Sequence, residues 1–164
     1  MKEIKLTIDG KDVQLTDEQL KALGIEVRKN PFERVEPGDD YYYVSSNNEV
    51  GAYTDSSAGI DNRFYAVSNY FNDEQFANQV ALHQLLYRKL LKFAYDNECE
   101  DTAVWDTNNE HWYILYNSAN YRFVTDNHCT FKMTTVYFSS KEAAERAIKE
   151  VVEPFMKEHP EFVW

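Results

Sequence analysis

Four histidines and two cysteines are the side chains best equipped for catalysis or metal binding here, and their spacing gives them little to do together. His83, His111, His128 and His159 form no H-x3-H or H-E-x-x-H pattern, which would set two imidazoles on one helix face toward a metal. His128 and Cys129 adjoin, but neighbouring strand residues point to opposite faces, so the pair does not suit one ion. No glycine-rich oxyanion turn accompanies either thiol. Cys99 is expected as an exposed loop thiol and Cys129 as a small core or strand residue, both free. The glycines at 10, 24, 38, 51 and 59 are isolated, so no phosphate-cradling loop exists. Asp96, Glu98, Glu100 and Asp101 surround Cys99 without the spaced ligands and central glycine of a calcium loop, and read as a solvated linker. These patterns predict a protein that is not an enzyme and that needs no cofactor or metal.

Binding is the chemistry left. The chain has 164 residues, 12 of them Tyr and 10 Phe, and a net charge of −11. That balance argues against direct contact with nucleic acid, which needs a basic footprint. Residues 41–72 and 97–127 together hold nine acids against two bases, Arg63 and Arg122. The expected partner-binding surface therefore lies on strands and loops. It comprises Asp39, Asp40, Glu49, Asp55, Asp61, Glu98, Glu100, Asp101, Asp106 and Glu110, with Tyr42, Tyr53 and Tyr121 beside them. Tyrosine next to acids gives rigid, amphipathic contact area.

The elements that must position these residues are legible from periodicity. Ile4, Leu6 and Ile8 alternate with polar residues as a half-buried strand, and Asp9-Gly10 reads as a hairpin turn before Val13 and Leu15. Thr16 to Gln19 is a capping box that opens a short helix with Leu20 and Leu23 on one face, stopped by Gly24. Residues 26–40 read as a connection. An internal repeat follows. Its copies begin at Tyr41 to Val44 and Trp112 to Leu115, and each has a second strand, Val50 to Thr54 and Tyr121 to Thr125. A third strand is expected at Phe64 to Tyr70 and at Phe131 to Phe138. Each copy then enters a helix through a capping box, Asn72 with Gln75 and Ser139 with Glu142, with Phe71 and Phe138 placed as hydrophobic staples. Helix one is expected from about Asp73 to Asp96, with Tyr87 and Leu91 on its apolar side. Helix two is expected from about Ser140 to Lys157, kinked or ended early by Pro154.

The fold class expected is α+β. A small N-terminal ββα module with its linker (1–40) precedes two antiparallel β-meander-plus-helix units (41–96 and 97–164). Met1 to Gly10 lacks the continuous apolar run of a signal peptide, and no stretch reaches the roughly 20 apolar residues of a membrane span, so the expected location is cytoplasmic.

The segments IKLTIDGKDVQLTDEQLKALGI, YYYVSSNNEV, NYFNDEQFANQVALHQLLYRKL, WYILYN and VYFSSKEAAERAI resemble small acidic accessory proteins of phages and mobile elements of gut bacteria. The resemblance spans nearly the whole chain and is structural, so it carries over no catalytic or ligand-binding residue. It implies the cytosol of a host cell and a gene set that opposes host defences. The leading expectation is a non-catalytic inhibitor of anti-CRISPR or anti-restriction type that occupies a basic nucleic-acid-binding host enzyme, with no membrane partner. The alternatives are a sponge for a nucleotide signal and a self-associating structural or regulatory phage component.

Overall fold

The computed structural model describes residues 6–8, 11–13, 15–24 and 30–164. The chain is α+β. A short hairpin, β1 (Leu6–Ile8) and β2 (Lys11–Val13), leads into helix α1 (Asp17–Ala22). Ile4 and the Asp9-Gly10 turn lie outside the described residues. The Thr16 capping box is present in both directions, Gln19 N–H to the Thr16 hydroxyl at 3.3 Å and Thr16 N–H to the Gln19 side chain at 2.9 Å. Gly24 takes the left-handed conformation (φ 71°) that ends such a helix. Leu20 is buried but Leu23 is exposed, because one turn of helix offers only a narrow covered face.

Two larger hairpins form the body. In the first, β3 (Asp40–Val44) pairs with β4 (Val50–Thr54), with Tyr42 opposite Ala52 and Tyr43 opposite Gly51. In the second, β5 (His111–Asn117) pairs with β6 (Arg122–His128), with Trp112 opposite Asn127 and Ile114 opposite Thr125. Neither hairpin gains the full third strand expected of a meander. Residues 64–66 belong instead to a helix, α2 (Gly59–Ala66). Ile60, Phe64 and Val67 follow helical spacing, and the Asp61 carboxylate accepts the Ala58 N–H at 2.9 Å to hold the first turn. Residues 131–137 stay irregular, curled by the Met133 N–H bonding the Tyr137 hydroxyl.

The third strand is reduced to a single residue in each unit. Phe71 exchanges backbone hydrogen bonds with Tyr42 (2.8 and 2.9 Å), and the Phe138 N–H donates to the Trp112 carbonyl (2.8 Å). On its far side each phenylalanine is flanked by the segment leading into its own hairpin, since Asn72 N–H bonds the Pro31 carbonyl and Ser139 N–H bonds that of Cys99. Both hairpins thus meet a phenylalanine and then a helix, and neither forms the three strands and a helix expected of the repeat.

Helix α3 (Glu74–Asp96) and the helix that starts at α4 (Lys141–Ala147) follow at once. Their caps sit one residue later than the sequence suggested. Asp73 accepts the Phe76 N–H at 2.8 Å and Ser140 the Ala143 N–H at 3.1 Å, because the backbone of Asn72 and Ser139 is committed to the sheet side. Phe71 and Phe138 are buried accordingly as sheet-edge core residues rather than staples. Beyond α4 the helix widens into a π-turn (Ile148–Val152) and resumes as α5 (Glu153–Glu158). Pro154 has no N–H for the Glu150 carbonyl, and the wider turn accommodates that loss without ending the helix.

The main core joins Leu82, Leu86, Leu90 and Phe93 of α3 to Ile114, Phe138, Ala144, Val152 and Phe155. A second cluster sets Val44 and Phe71 on Ala77 and Ala81. Tyr87 and Leu91 point outward, because the alanines at 77, 81 and 94 set the buried stripe of α3 along a different line. The chain end is tied down by the Gln79 side chain, which donates to the Glu161 carbonyl (2.8 Å) and accepts the Val163 N–H (2.9 Å). No helix among the described residues is long and apolar enough to cross a membrane.

Candidate functional site

Alternation along β3 sends Tyr42 and Val44 toward α3, and Tyr41 and Tyr43 to the other face of the hairpin. Helix α2 lies over that second face. Tyr41 stacks on Tyr70 (ring centroids 4.0 Å apart), and Tyr43 stacks on Tyr53 (4.9 Å) and leans on Phe64 (4.6 Å). Tyr43 can lie there only because Gly51 is opposite, since a β-carbon at 51 would stand 2.6 Å from the ring.

Buried charge holds α2 in place. Arg34, from the segment before β3, clamps Asp55 with two hydrogen bonds of 2.7 and 3.1 Å and reaches Asn62 of α2 at 2.7 Å. Asp55 also accepts the Tyr70 hydroxyl (2.8 Å) and the Ser57 N–H (2.7 Å). The Arg34 guanidinium, helped by those two donors, holds the Asp55 carboxyl well below the usual carboxylate range against the opposing effect of burial. Asp61 accepts from Ala58 N–H, from Ser56 through both N–H and hydroxyl, and from the Tyr41 hydroxyl at 3.0 Å. Burial pushes its pKa up, but these donors outweigh that effect and the net shift is downward. Burial, then Asp55, pushes the Tyr70 hydroxyl up to about 12, so it stays a donor at any ordinary pH.

What this scaffold presents outward is aromatic and apolar. Tyr53 is 46% exposed, and Ile60 (51%) and Val67 (71%) continue the Phe64 stripe along α2. Tyr65 packs edge-on against Tyr70 with the Arg34 guanidinium 5.7 Å from its centroid. Asp39 and Asp40 at the start of β3 and Glu49 at the hairpin tip are exposed.

The second hairpin has a buried counterpart. His111 Nδ1 lies 2.5 Å from the Asp101 carboxylate, and its ring stacks on Trp105 at 3.5 Å, with Tyr137 edge-on to both rings. His111 Nε2 and one Glu100 carboxylate oxygen are buried and meet no hydrogen-bond partner among the described residues. His111 and Glu100 nevertheless lie on opposite faces. Glu100 and Trp112 both pair with Phe138, so Asp101, Tyr137 and His111 share the other face. The imidazole is wholly enclosed, and cavities of about 280 and 290 Å3 lie elsewhere, one between α3 and α5 and one between α3 and Trp164. Among the described residues no group of three or more metal-ligating side chains comes together.

The expected surface therefore needs correction. Asp55 and Asp61 are buried structural anions, and the Asp101 carboxylate is enclosed beside His111, so none of the three carboxylates is presented at the surface. Glu100 has one carboxylate oxygen enclosed, and Tyr42 is half-buried against the α3 cluster. Asp39, Asp40, Glu49, Tyr53, Glu98, Asp106, Glu110 and Tyr121 are exposed as expected, though on two different hairpins and the loops beside them. The acidic run at 96–101 is not a solvated linker throughout, and Cys99, expected as an exposed loop thiol, is buried, while Cys129 is half-buried just after β6. Burial pushes the Cys99 thiol up, which leaves it a poor nucleophile. Sequence reasoning missed Arg34, Phe64 and Tyr65. The signal for the last two is the helical spacing of Ile60, Phe64 and Val67 behind Asp61, which competes with the strand propensity of the aromatic residues.

No family model matches the chain, and neither does any curated protein or solved structure.

Proposed function

We propose that the chain is a non-catalytic binding protein that docks a protein partner on the outer face of β3, β4 and α2. In the accessory-gene setting its sequence resembles, that partner is a host defence protein, a basic nucleic-acid enzyme blocked by occupancy alone. The observation that supports this reading is the apolar strip of exposed Tyr53, Ile60 and Val67 around half-buried Phe64, flanked by Asp39 and Asp40 and braced from beneath by the Arg34–Asp55 pair. Large aromatics with a polar rim are the composition of interface centres, and apolar side chains grouped on one surface of a small protein mark contact sites. The braced strip lets little conformational freedom be lost on binding. The net charge of −11 adds steering toward a basic surface.

The test is affinity capture from host lysate with the parent chain, a Tyr53→Ala variant, an Asp39→Lys/Asp40→Lys variant and a Tyr121→Ala control on the other hairpin. A basic protein held by the parent and the control, lost with Tyr53→Ala and released by salt, supports the reading. Capture that ignores Tyr53 and the two aspartates while depending on Tyr121 overturns it.

A further inference from the structure

We infer that β6 is a self-pairing edge, and that two copies of this chain join through it into one continuous four-stranded sheet. Backbone geometry shows which groups are free. In an antiparallel pair, residues point both backbone groups alternately toward and away from the partner strand. Trp112 gives its carbonyl to Phe138, so it points away from β6, and its opposite residue Asn127 points away from β5. Thr125 and Phe123 face outward with it. The Asn127 N–H bears this out by turning to its neighbour's carboxylate, Asp126 Oδ1, at 2.8 Å. Among the described residues nothing pairs with the outward groups of Phe123 and Thr125.

The first hairpin treats its β3 edge differently. Phe71 covers Tyr42, and the Asn69 side-chain amide both donates to and accepts from the Val44 backbone at 2.8 Å. β6 has seven residues and no proline, glycine or lysine to discourage pairing. Beside it, a cavity of about 300 Å3 opens between Phe123, Val124 and Thr125 on the strand and Lys141, Glu145 and Ile148 on the helix, so the helix does not close over this part of the strand.

The occupant is a second copy because the edge is complementary to itself. Antiparallel pairing centred on Thr125 sets Phe123 against Asn127 of the second copy, and every residue that must exchange backbone bonds in that register is one that faces outward. The same register makes Arg122 a diagonal neighbour, on the same face, of Asp126 of the second copy, twice over by symmetry, and diagonal pairs are within reach of an arginine. Asp126 then exchanges its bond to the Asn127 N–H for the arginine, while the Phe123 carbonyl of the second copy takes the N–H. β4 also turns Val50, Ala52 and Thr54 outward but carries no charge to set a register.

Light scattering and sedimentation of the full chain test this. The parent is expected as a dimer in the micromolar range, and Thr125→Pro as a monomer of unchanged far-UV circular dichroism, since the N–H it removes makes no bond within the hairpin. Arg122→Asp and Asp126→Arg should each weaken the dimer about tenfold, and the double swap should restore it, because two cross-strand charge pairs turn repulsive and then attractive again. A parent that stays monomeric overturns the proposal, including one that captures only a foreign strand. So does a dimer indifferent to Thr125→Pro, or a swap no better than its single reversals. If Thr125→Pro fails to fold, the reversal series alone decides.

Discussion

The ring of Tyr43 lies across Gly51 so closely that a β-carbon there would stand 2.6 Å from Cζ and 2.7 Å from the hydroxyl oxygen. Gly51→Ala must therefore push Tyr43 off its stack with Tyr53 and Phe64, at a cost of about 1–3 kcal/mol. Thermal unfolding and the near-ultraviolet signal of the tyrosines check this. Ala52→Ser, one residue on at an exposed position, should change neither. An unperturbed Gly51→Ala variant would mean that the ring has another resting place.

Cap positions separate two adjacent serines. Ser140→Ala should cost about 1 kcal/mol through loss of the bond to the Ala143 N–H. Ser139→Ala should cost under about 0.5 kcal/mol, since Ser139 is exposed and its contact with Cys99 is made by backbone. Denaturant titrations of the two variants, read at constant slope, decide it.

Phe71→Ala and Phe138→Ala should each cost about 3–5 kcal/mol, because both rings are buried where sheet edge and core meet. Urea midpoints measure this. A small effect from either would place that ring outside the core it now joins.

Asp55 gives a pH dependence with a definite sign. Its carboxyl titrates lower in the folded chain than in the unfolded one, where carboxyls titrate near about 4. The stability it contributes is fully present above that unfolded value and is lost as pH falls through it toward the lowered one. Arg34→Met removes the main cause. The stability gap between parent and Arg34→Met should hold from neutral pH to about 5 and narrow below about 4. Chemical denaturation across that range reads it, and a gap independent of pH would show that Asp55 is not held by Arg34.

Charge reversal discriminates surface from interior. Asp39→Lys/Asp40→Lys should leave stability within about 0.5 kcal/mol, as exposed substitutions do. Asp55→Lys should unfold the first hairpin unit, because it puts a cation in the enclosed Asp55 position, next to the half-exposed Arg34. Circular dichroism distinguishes the two before any binding measurement.

Much of this architecture was legible in the residues, and its limits have physical causes. The α+β class, both hairpins and the length of α3 follow from alternation, capping residues and helical spacing. Helix α2 was hidden because Phe64 and Tyr65 are good strand formers and tertiary contacts through Asp61 decided otherwise. The cap shift at Asp73 and Ser140 was hidden because backbone pairing of the preceding residue, invisible in sequence, took the first polar candidate out of play. Asp55 and Asp61 looked like surface charge because composition cannot see Arg34, some 20 residues upstream, or two tyrosine hydroxyls. At the second hairpin, His111 and Asp101 are each visible in the sequence, but their partnership depends on a single bridging residue, Phe138.

That bridging arrangement also bears on how the chain folds. In each unit the residue that closes the hairpin edge, Phe71 or Phe138, stands two positions before the helix cap, Asp73 or Ser140. Starting a helix is unfavourable because several residues must be ordered for one hydrogen bond. Here the ordering is already done when the hairpin captures the phenylalanine, so strand closure and helix initiation become one event. Each unit is thus expected to nucleate on its hairpin and the Tyr42–Phe71 or Trp112–Phe138 closure, contacts of modest sequence separation that favour fast folding. Substitutions at Phe71 and Phe138 should slow folding more than they speed unfolding, whereas those along the far end of α3 should do the reverse.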